Sequence, residues 1–223
     1  IKIDPYLNVD AGTMNPGEHG EVFVLSSGLE CDQDMGNYER FLDIKLGPEN
    51  YITNGQIYKT VIENERAMKY GGKCVEVLPH VPQEFIRRIE VSVQKSGADI
   101  SVVEVGGTVG EYQIMLIVEA ARLLKLKNPG DVLFVLVSYL PIPPNIGEMK
   151  TKPTQYAVRT LNSYGVHPDI IVARGTTAPD ERRKDTISTN VGVSKEHIIS
   201  APNLESIYEV PINFEKDKLS DKL

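Results

Sequence analysis

Short apolar runs alternate with amphipathic stretches along the chain. Runs rich in aliphatic and β-branched residues predict strands over 20–25, 73–81, 99–105, 131–141, 168–174 and 196–202. Apolar residues at helical spacing predict helices over 36–44, 53–70, 82–97, 111–127, 152–165 and 179–192. Strands that alternate with helices are typical of a mostly parallel sheet with helices on both faces. We therefore predict an α/β fold.

Some of these elements carry further signals. Pro82 and Gly97 stand at the two ends of one predicted helix, where proline and glycine are favoured. The strand over 131–141 is the most hydrophobic, so we expect it in the centre of the sheet. The helix over 111–127 is apolar on much of its surface. Such a helix must be buried in its own domain or against a partner subunit.

Composition narrows the class of protein. The 223 residues suffice for one large α/β domain or two small ones, and 41% of them are hydrophobic. A net charge of −7 argues against broad nucleic-acid binding. Cys31 and Cys74 are too few for a disulfide framework, which favours a reducing, cytoplasmic location. No apolar run approaches the roughly 18 residues of a membrane span, so we expect no membrane partner.

The predicted strand over 99–105 has an acid near its end and three glycines after it. Glu104 lies near its end, and Gly106, Gly107 and Gly110 leave the backbone open. An unpaired carboxylate is costly to bury, and Mg²⁺ is one partner that favours such oxygen ligands. The alternative is a solvated strand end followed by a glycine turn. Spacing alone leaves both interpretations open.

Two further acids, Asp32 and Asp34, precede the predicted helix over 36–44. Asp34 is a candidate to complete a metal site with Glu104. Aspartate is also a good residue for capping the amino end of a helix, and this interpretation stays open as well.

Lys150 and Lys152 stand at the beginning of a helix whose first turn contains Pro153. Free backbone N–H groups and two ammonium groups there would form an anion site. The alternative is two solvated lysines. Because ligands of α/β proteins bind beyond the carboxyl ends of the strands, we expect these lysines, Glu104, Arg174 and the turn at 200–204 to line one crevice.

Four segments together are more specific than any one of them: KIDPYLNVDAGTMNPGEHGEVFVL, DQDMGNYERFLDI, VEVGGTVGE and GEMKTKPTQ. They resemble the synthetase (amidoligase) domain of CTP synthase, in that family's order, from Ile1 to about Tyr208. The resemblance implies a P-loop NTPase-like fold of the dethiobiotin-synthetase type and a homodimer or homotetramer.

The reaction that the resemblance implies is the amination of UTP to CTP, the final step of de novo CTP synthesis. ATP, with Mg²⁺, phosphorylates the uracil 4-oxygen. Ammonia, released from glutamine by a separate glutaminase domain, then displaces the phosphate. Such phosphoryl transfer depends on positioning and charge neutralisation more than on a covalent catalyst.

The resemblance also implies roles for single residues. Lys2 matches the phosphate-facing, catalytic lysine, and Asp34 and Glu104 match the metal-binding acids. UTP and CTP binding is implied for Gly107, Glu111, Tyr112, Gln113, Lys150, Thr151, Lys152, Pro153, Thr154, Gln155 and Lys184. ATP binding is implied for Asp34, Arg174, Pro202, Asn203 and Leu204, and an ammonia passage for Pro16, His19 and Val22.

The chain departs from the family pattern at several of these positions. Glu111, Tyr112 and Gln113 stand where the family usually has Asp-Ile-Glu, a triplet that binds the CTP product. Gln113 lacks the usual carboxylate, so we expect product inhibition to differ. Asn203 stands in place of a usual aspartate and retains a hydrogen-bonding side chain.

No G-x-x-x-x-G-K-[ST] stretch occurs in the 223 residues. The family places its phosphate loop before KIDPY and its glutaminase domain after the synthetase domain. We therefore expect residues 1–223 to be a partial synthetase domain that lacks the first strand and helix, and to be inactive alone. One alternative is another amidoligase, such as a dethiobiotin or cobyrinate-type synthetase, which should not share KTKPTQ. The other is a non-catalytic UTP/CTP-binding or assembly module.

Overall fold

The computed structural model describes residues 1–19 and 22–223, which form two compact units, Ile1–Leu124 and Lys125–Leu223. The strands are β1 (Lys2–Asp4), β2 (Val22–Val24), β3 (Glu30–Asp32), β4 (Tyr51–Thr53), β5 (Glu104–Val105), β6 (Val135–Tyr139), β7 (Ile170–Gly175) and β8 (Ile198–Pro202). The helices are α1 (Pro16–His19), α2 (Asp34–Leu42), α3 (Asn54–Arg66), α4 (Val77–Ser96), α5 (Met115–Lys127), α6 (Lys152–Ser163), α7 (Glu181–Val191) and α8 (Val210–Lys216). The predicted α/β class is confirmed.

The first unit is built on a parallel sheet of order β4-β1-β5. Apolar residues of β1 and β4 pack against α3, α4 and α5 in one core that includes Ile3, Ile52, Phe85 and Ile117. β2 and β3 form a separate antiparallel pair next to α2. Of the strand predicted over 20–25, residues 20 and 21 lie outside the described part, and β2 confirms a strand over Val22–Val24.

The second unit contains a parallel sheet of order β6-β7-β8. Ile170 and Val172 of β7 pack with β8 and with Phe214 of α8 on one face. β7 is the middle strand of this sheet, so the prediction that 131–141 is central is wrong. Side chains of β6 alternate between buried and exposed, because its apolar residues point to both faces and its own unit covers one of them.

The predicted strand over 73–81 is also wrong. Residues 73–76 have no regular structure, and α4 begins at Val77. Leu78 has non-helical dihedral angles, and Pro79 and Pro82 follow it at the beginning of the continuous helix, where no N–H is required of them. The same two prolines cannot donate hydrogen bonds to a neighbouring strand, which disfavours the sheet.

Most other predicted elements are confirmed within a few residues, including the Gly97 end of α4, whose φ is 61°. The strand over 99–105 is shorter than predicted, since Ile100 and Val102 are 83% and 77% exposed and β5 contains two residues. A short 3₁₀ turn, Tyr112–Ile114, precedes α5. No helix in the described ranges combines the length and apolarity needed to cross a membrane.

Candidate functional site

Strand register brings an amine and several acids to one face of the first sheet. Lys2 of β1 pairs with Tyr51 of β4 on one side and with Glu104 of β5 on the other. Residues paired in register share a face, and so do alternate residues of one strand. Lys2, Asp4 and Glu104 are therefore neighbours at the end of the sheet where their loops begin.

The Lys2 amine is bound by three carboxylates. Its Nζ donates hydrogen bonds of 2.8 Å to Asp34 Oδ2 and to Glu104 Oε1. Asp4 Oδ1 lies 3.4 Å from the same nitrogen. Asp34 reaches the amine from the first residue of α2, so the end of the sheet and a helix both contribute acids.

The carboxylates keep Lys2 charged although it is only 4% exposed. Burial by itself would lower the pKa of Lys2, but Asp34, Glu104 and Asp4 outweigh it and raise that pKa above its usual value. Burial also raises the pKa of Glu104, against the opposing effect of the Lys2 ammonium. A protonated amine between ionisable acids is suited to binding phosphates and a divalent cation together.

Asp32 and Asp34 make different contacts. Asp32 Oδ1 accepts a 2.9 Å hydrogen bond from the backbone N–H of Asp34, at the beginning of α2. Asp32 therefore satisfies a backbone N–H at the beginning of the helix, while the Asp34 carboxylate accepts a hydrogen bond from Lys2. Burial raises the pKa of Asp32.

Two tyrosines surround Asp4. The Tyr6 hydroxyl donates to Asp4 Oδ2 at 3.0 Å and also contacts the hydroxyl of the fully buried Tyr51. Burial, followed by the nearby Asp4 charge, raises the pKa of Tyr51, so this phenol stays protonated. The Asp4 carboxylate is thus fixed beneath the Lys2 amine.

Lys2, Asp4, Tyr6 and Asp32 face an open cleft of about 610 Å³ in the first unit. Its lining comprises Lys2, Asp4, Pro5, Tyr6, Leu7, Asp32, Gly106, Gly107 and Gln113. A Cβ on Gly106 would lie 2.8 Å from Asp4 Oδ1, and Gly107 has a φ of 88° that favours glycine. The glycine loop is therefore required both by close packing and by backbone conformation.

Asp34 and Glu104 are close enough to share one cation. An oxygen of each carboxylate lies 2.8 Å from the same Lys2 nitrogen, so the two carboxylates can approach a single ion. In the described ranges no three or more His, Cys, Asp and Glu residues form a metal-binding group. Two carboxylates still fit Mg²⁺, which takes one or two of them together with phosphate and water oxygens. The metal assignment stays a prediction.

The segment predicted to bind CTP adjoins the same cleft. Gln113 Nε2 donates to Glu111 Oε2 at 2.9 Å, and Gln113 also lines the cleft. Tyr112, between them, is 87% exposed. The structure thus brings Gly107, Glu111 and Gln113 together with Lys2, whereas Tyr112 points away from protein contacts.

In the second unit, the KTKPTQ segment begins α6. Lys150 pairs with Glu148 at 2.8 Å, and Lys152 and Pro153 are exposed in the first turn. Thr154 is buried and its hydroxyl bonds to Ser138 of β6 at 2.8 Å. Gln155 Nε2 donates to Thr151 Oγ1 at 3.1 Å. The lysines are accessible to a ligand, while Thr154 anchors the helix to the sheet.

Lys184 of α7 is buried and bound to Asp217. Its Nζ lies 3.1 and 3.2 Å from the two carboxylate oxygens, and one of these also accepts the Ser200 N–H at 2.6 Å. Burial would raise the pKa of Asp217, but the Ser200 and Lys184 bonds lower it below its usual value. Asp217 was missed from the sequence because it follows α8, for which no helix was predicted.

The residues predicted to bind adenine lie at the ends of β7 and β8. Arg174 Nη1 donates to the carbonyl of Ala201 at 3.3 Å, and the Asn203 N–H donates to the carbonyl of Gly175 at 3.0 Å. Pro202 ends β8, and Leu204 follows Asn203 in the same turn. The structure brings these four residues together at one edge of the second sheet.

The residues predicted for an ammonia passage lie in the first unit. Pro16 begins α1 and is exposed, and Val22 begins β2. His19 ends α1, but its side chain lies outside the described part of the chain. The idea of one crevice, with groups from both units, stays a prediction.

Comparison with known proteins shows which family the chain belongs to. The family described as CTP synthase N-terminus matches residues 1–223. The chain belongs to this family. It is 48% identical over 223 residues to the CTP synthase of Pyrobaculum calidifontis and 49% identical over 224 residues to that of Pyrococcus horikoshii, in each case over 100% of this chain. The CTP synthase of Methanococcus maripaludis is 48% identical over 221 residues, or 98% of this chain.

The match to the CTP synthase family extends the resemblance, which had stopped near Tyr208, through α8 to Leu223. The same match argues against the alternative of a dethiobiotin or cobyrinate-type synthetase. The chain spans 42% of the Pyrobaculum calidifontis relative and 41% of the other two. The match therefore covers less than half of the full-length enzymes, and the activity of this chain is taken up below as a proposal.

Proposed function

We propose that this chain supplies the nucleotide-binding ligase part of a CTP synthase. In the proposed reaction the uracil 4-oxygen of UTP attacks the γ-phosphorus of ATP, and ADP leaves. Ammonia, released from glutamine by a glutaminase domain, then adds to carbon 4, and phosphate leaves with the former 4-oxygen. Loss of a proton completes CTP. Membership of the CTP synthase family supports this reaction.

The observation that carries the proposal is the protonated Lys2 between Asp34 and Glu104 in an open cleft. Lys2 would bind the phosphoryl group that is transferred, since its charge survives burial. Asp34 and Glu104 would hold Mg²⁺, which when bound offsets the charge of the phosphates. The open backbone of the glycine loop would let the nucleotide approach the sheet.

The remaining assignments rest on the family pattern. UTP and CTP would be bound by Gly107, Glu111, Tyr112, Gln113, Lys184 and the segment 150–155. Arg174 and the turn 202–204 would bind the adenine of ATP, and Pro16, His19 and Val22 would line the ammonia passage. Before Lys184 can bind a nucleotide, it must exchange its bonds to Asp217.

A non-catalytic nucleotide-binding module is not favoured, because the chain matches named CTP synthases over almost its whole length. We nevertheless expect residues 1–223 alone to bind UTP and CTP without turning them over. No phosphate-loop motif occurs in the chain, and positioning of the transferred phosphoryl group supplies most of the rate in such reactions.

Two measurements test the proposal. Calorimetric titration of the purified chain with UTP, CTP and ATP should detect pyrimidine nucleotide binding. Absorbance-detected conversion of UTP, with ATP, Mg²⁺ and ammonium, should give no CTP from residues 1–223 alone. Lys2→Met should weaken ATP–Mg²⁺ binding in the titration, whereas Lys59→Met, at an exposed site on α3, should leave it intact. Absence of nucleotide binding by the unmodified chain would contradict the proposal.

A further inference from the structure

Asn54 connects two separate walls of the cleft. It is the first residue of α3 and is 6% exposed. Its Nδ2 donates to the main-chain carbonyl of Pro5 at 2.7 Å and to that of Gln113 at 2.8 Å. Pro5 follows β1, Gln113 follows the glycine loop after β5, and both line the cleft. One buried amide therefore bridges two segments that are distant in sequence.

Capping of α3 does not explain this side chain. The cap is Thr53, whose Oγ1 accepts the Gln56 N–H at 3.1 Å. The Asn54 Oδ1 atom is buried and has no hydrogen-bond partner among the described residues. Buried polar atoms normally have a hydrogen-bond partner, so an unsatisfied one calls for an explanation. Both donors of the amide are instead used on the walls of the cleft.

The neighbouring backbone shows how closely α3 approaches this wall. The Gly55 N–H donates to the carbonyl of Tyr6 at 3.2 Å. A Cβ at Gly55 would lie 2.1 Å from the carbonyl oxygen of Leu7. The beginning of α3 is therefore packed directly against the segment after β1, and the Asn54 side chain is held at a fixed place.

Contacts also connect Asn54 to the segment 111–113, whose residues differ from those usual in the family. Asn54 holds the Gln113 backbone, and the Gln113 side chain donates to Glu111 Oε2 at 2.9 Å. We propose that Asn54 is a positioning residue that holds the 111–113 segment and the Pro5 turn in the arrangement that accepts a pyrimidine nucleotide. The identity of that ligand rests on the proposed function.

Asn54→Leu tests this role, because it keeps the branched shape of the side chain and removes both N–H donors. We expect hydrogen exchange of the amides in 106–113 to become about tenfold faster, and CTP to bind about tenfold more weakly, the effect of 1.4 kcal/mol. Exchange in β7, in the other unit, should not change. Calorimetry with CTP and exchange measured by mass spectrometry provide the two readouts.

Asn50→Leu is the matched control. Asn50 also lies in the first unit and also makes two hydrogen bonds, from Gly47 N–H and to Ser92 Oγ, but it does not line the cleft. It should lower stability without changing exchange in 106–113 or CTP affinity. A merely structural role of Asn54 would give the same result for both variants.

Each outcome decides the question. Unchanged exchange and unchanged CTP affinity in folded Asn54→Leu would overturn the positioning role. If that variant does not fold, Asn54→Ser, which keeps one donor, should show a smaller loss, and wild-type values would overturn the role. If the unmodified chain binds no CTP, the proposed function fails, whereas the exchange comparison still decides whether Asn54 holds the segment.

Discussion

Lys2 is a buried amine whose charge depends on its neighbours. An isolated lysine at such a site would lose its proton readily, because low polarity disfavours the ammonium. Asp34, Glu104 and Asp4 reverse that tendency and raise the pKa of Lys2. The ammonium also reduces the repulsion among the three carboxylates that surround it. The amine and the acids therefore form a single electrostatic unit.

Lys2→Met should destabilise the chain at neutral pH by about 2 kcal/mol. The acids would lose their cation, although Asp34 and Glu104, 44% and 41% exposed, would remain partly hydrated. Because the pKa of Lys2 is raised, its contribution is fully present below about 10.4 and is lost only as pH rises through the higher folded value. The deficit should shrink as pH falls through the pKa of Glu104, which burial raises.

Urea unfolding at pH 7 and at pH 4.5 measures this effect. Lys59→Met, at an exposed position of α3, is the control and should stay within about 0.5 kcal/mol of the unmodified chain. Equal stability of Lys2→Met and the unmodified chain at pH 7 would refute the electrostatic coupling.

Asp217→Asn addresses the corresponding pair in the second unit. The carboxamide keeps an oxygen for the Ser200 N–H but removes the charge that balances buried Lys184. We expect a loss of about 2 kcal/mol at pH 7. The pKa of Asp217 is lowered, so its contribution is present above about 3.9 and is lost as pH falls through the lower folded value.

Unfolding curves at pH 7 and near pH 2 should therefore differ between the variant and the unmodified chain only at the higher pH. Asp221→Asn, exposed in the same carboxyl-terminal segment, should have little effect at either pH. A deficit of equal size at both pH values would mean that the charge of Asp217 is not what matters.

The glycine loop after β5 tolerates less change in its side chains than the strand that it follows. β5 has two residues, yet the loop beyond it approaches Asp4 within contact distance of any added side chain. This approach explains why glycines follow the strand. It also means that the loop and the Lys2 acids cannot be changed independently.

Gly106→Ala should displace the Asp4 carboxylate from its place beside Lys2, because the new Cβ would lie 2.8 Å from Asp4 Oδ1. We expect a loss of stability of about 1–3 kcal/mol, measured by urea unfolding, together with weaker ATP–Mg²⁺ binding. Gly130→Ala has no atom within 4 Å of its added Cβ and should be close to neutral. Identical behaviour of the two variants would argue against close packing at the loop.

Helix α5 shows that an apolar helix need not indicate a subunit interface. Ile114, just before it, and Ile117 and Val118 within it are buried in the described structure, while Met115 is 41% exposed. Of the two alternatives that the sequence left open, burial in its own unit is observed for Ile117, which lies in the core of the first unit. Assembly therefore has to be argued from the family rather than from this helix.

Assembly can be tested on the whole chain. The family resemblance predicts a homodimer or homotetramer. Light scattering at micromolar concentration, with UTP present, should show a mass above that of the 24.7 kDa chain. A strict monomer with UTP present would contradict the prediction for residues 1–223.

Local patterns sufficed for much of the fold. α6, α7, β7 and β8 agree with the predictions because apolar spacing, Pro153 and Gly192 act within a few residues of themselves. The segment 73–81 failed because strand formation requires a neighbouring chain and free N–H donors, and neither can be read from β-branched residues alone. β3 and β4, of three residues each, are too short for periodicity to reveal.

The acids and glycines of the candidate site could be picked out from their motifs, yet their partners could not. Several contacts of the candidate site join residues more than 30 positions apart. They are the bonds from Lys2 to Asp34 and Glu104, the bond from Asn54 to Gln113 and the Lys184–Asp217 pair. Such contacts are created when strand register and helix packing bring distant segments together. A linear sequence specifies which side chains are available, whereas burial and distance, which set their charge and their partners, exist only in the folded chain.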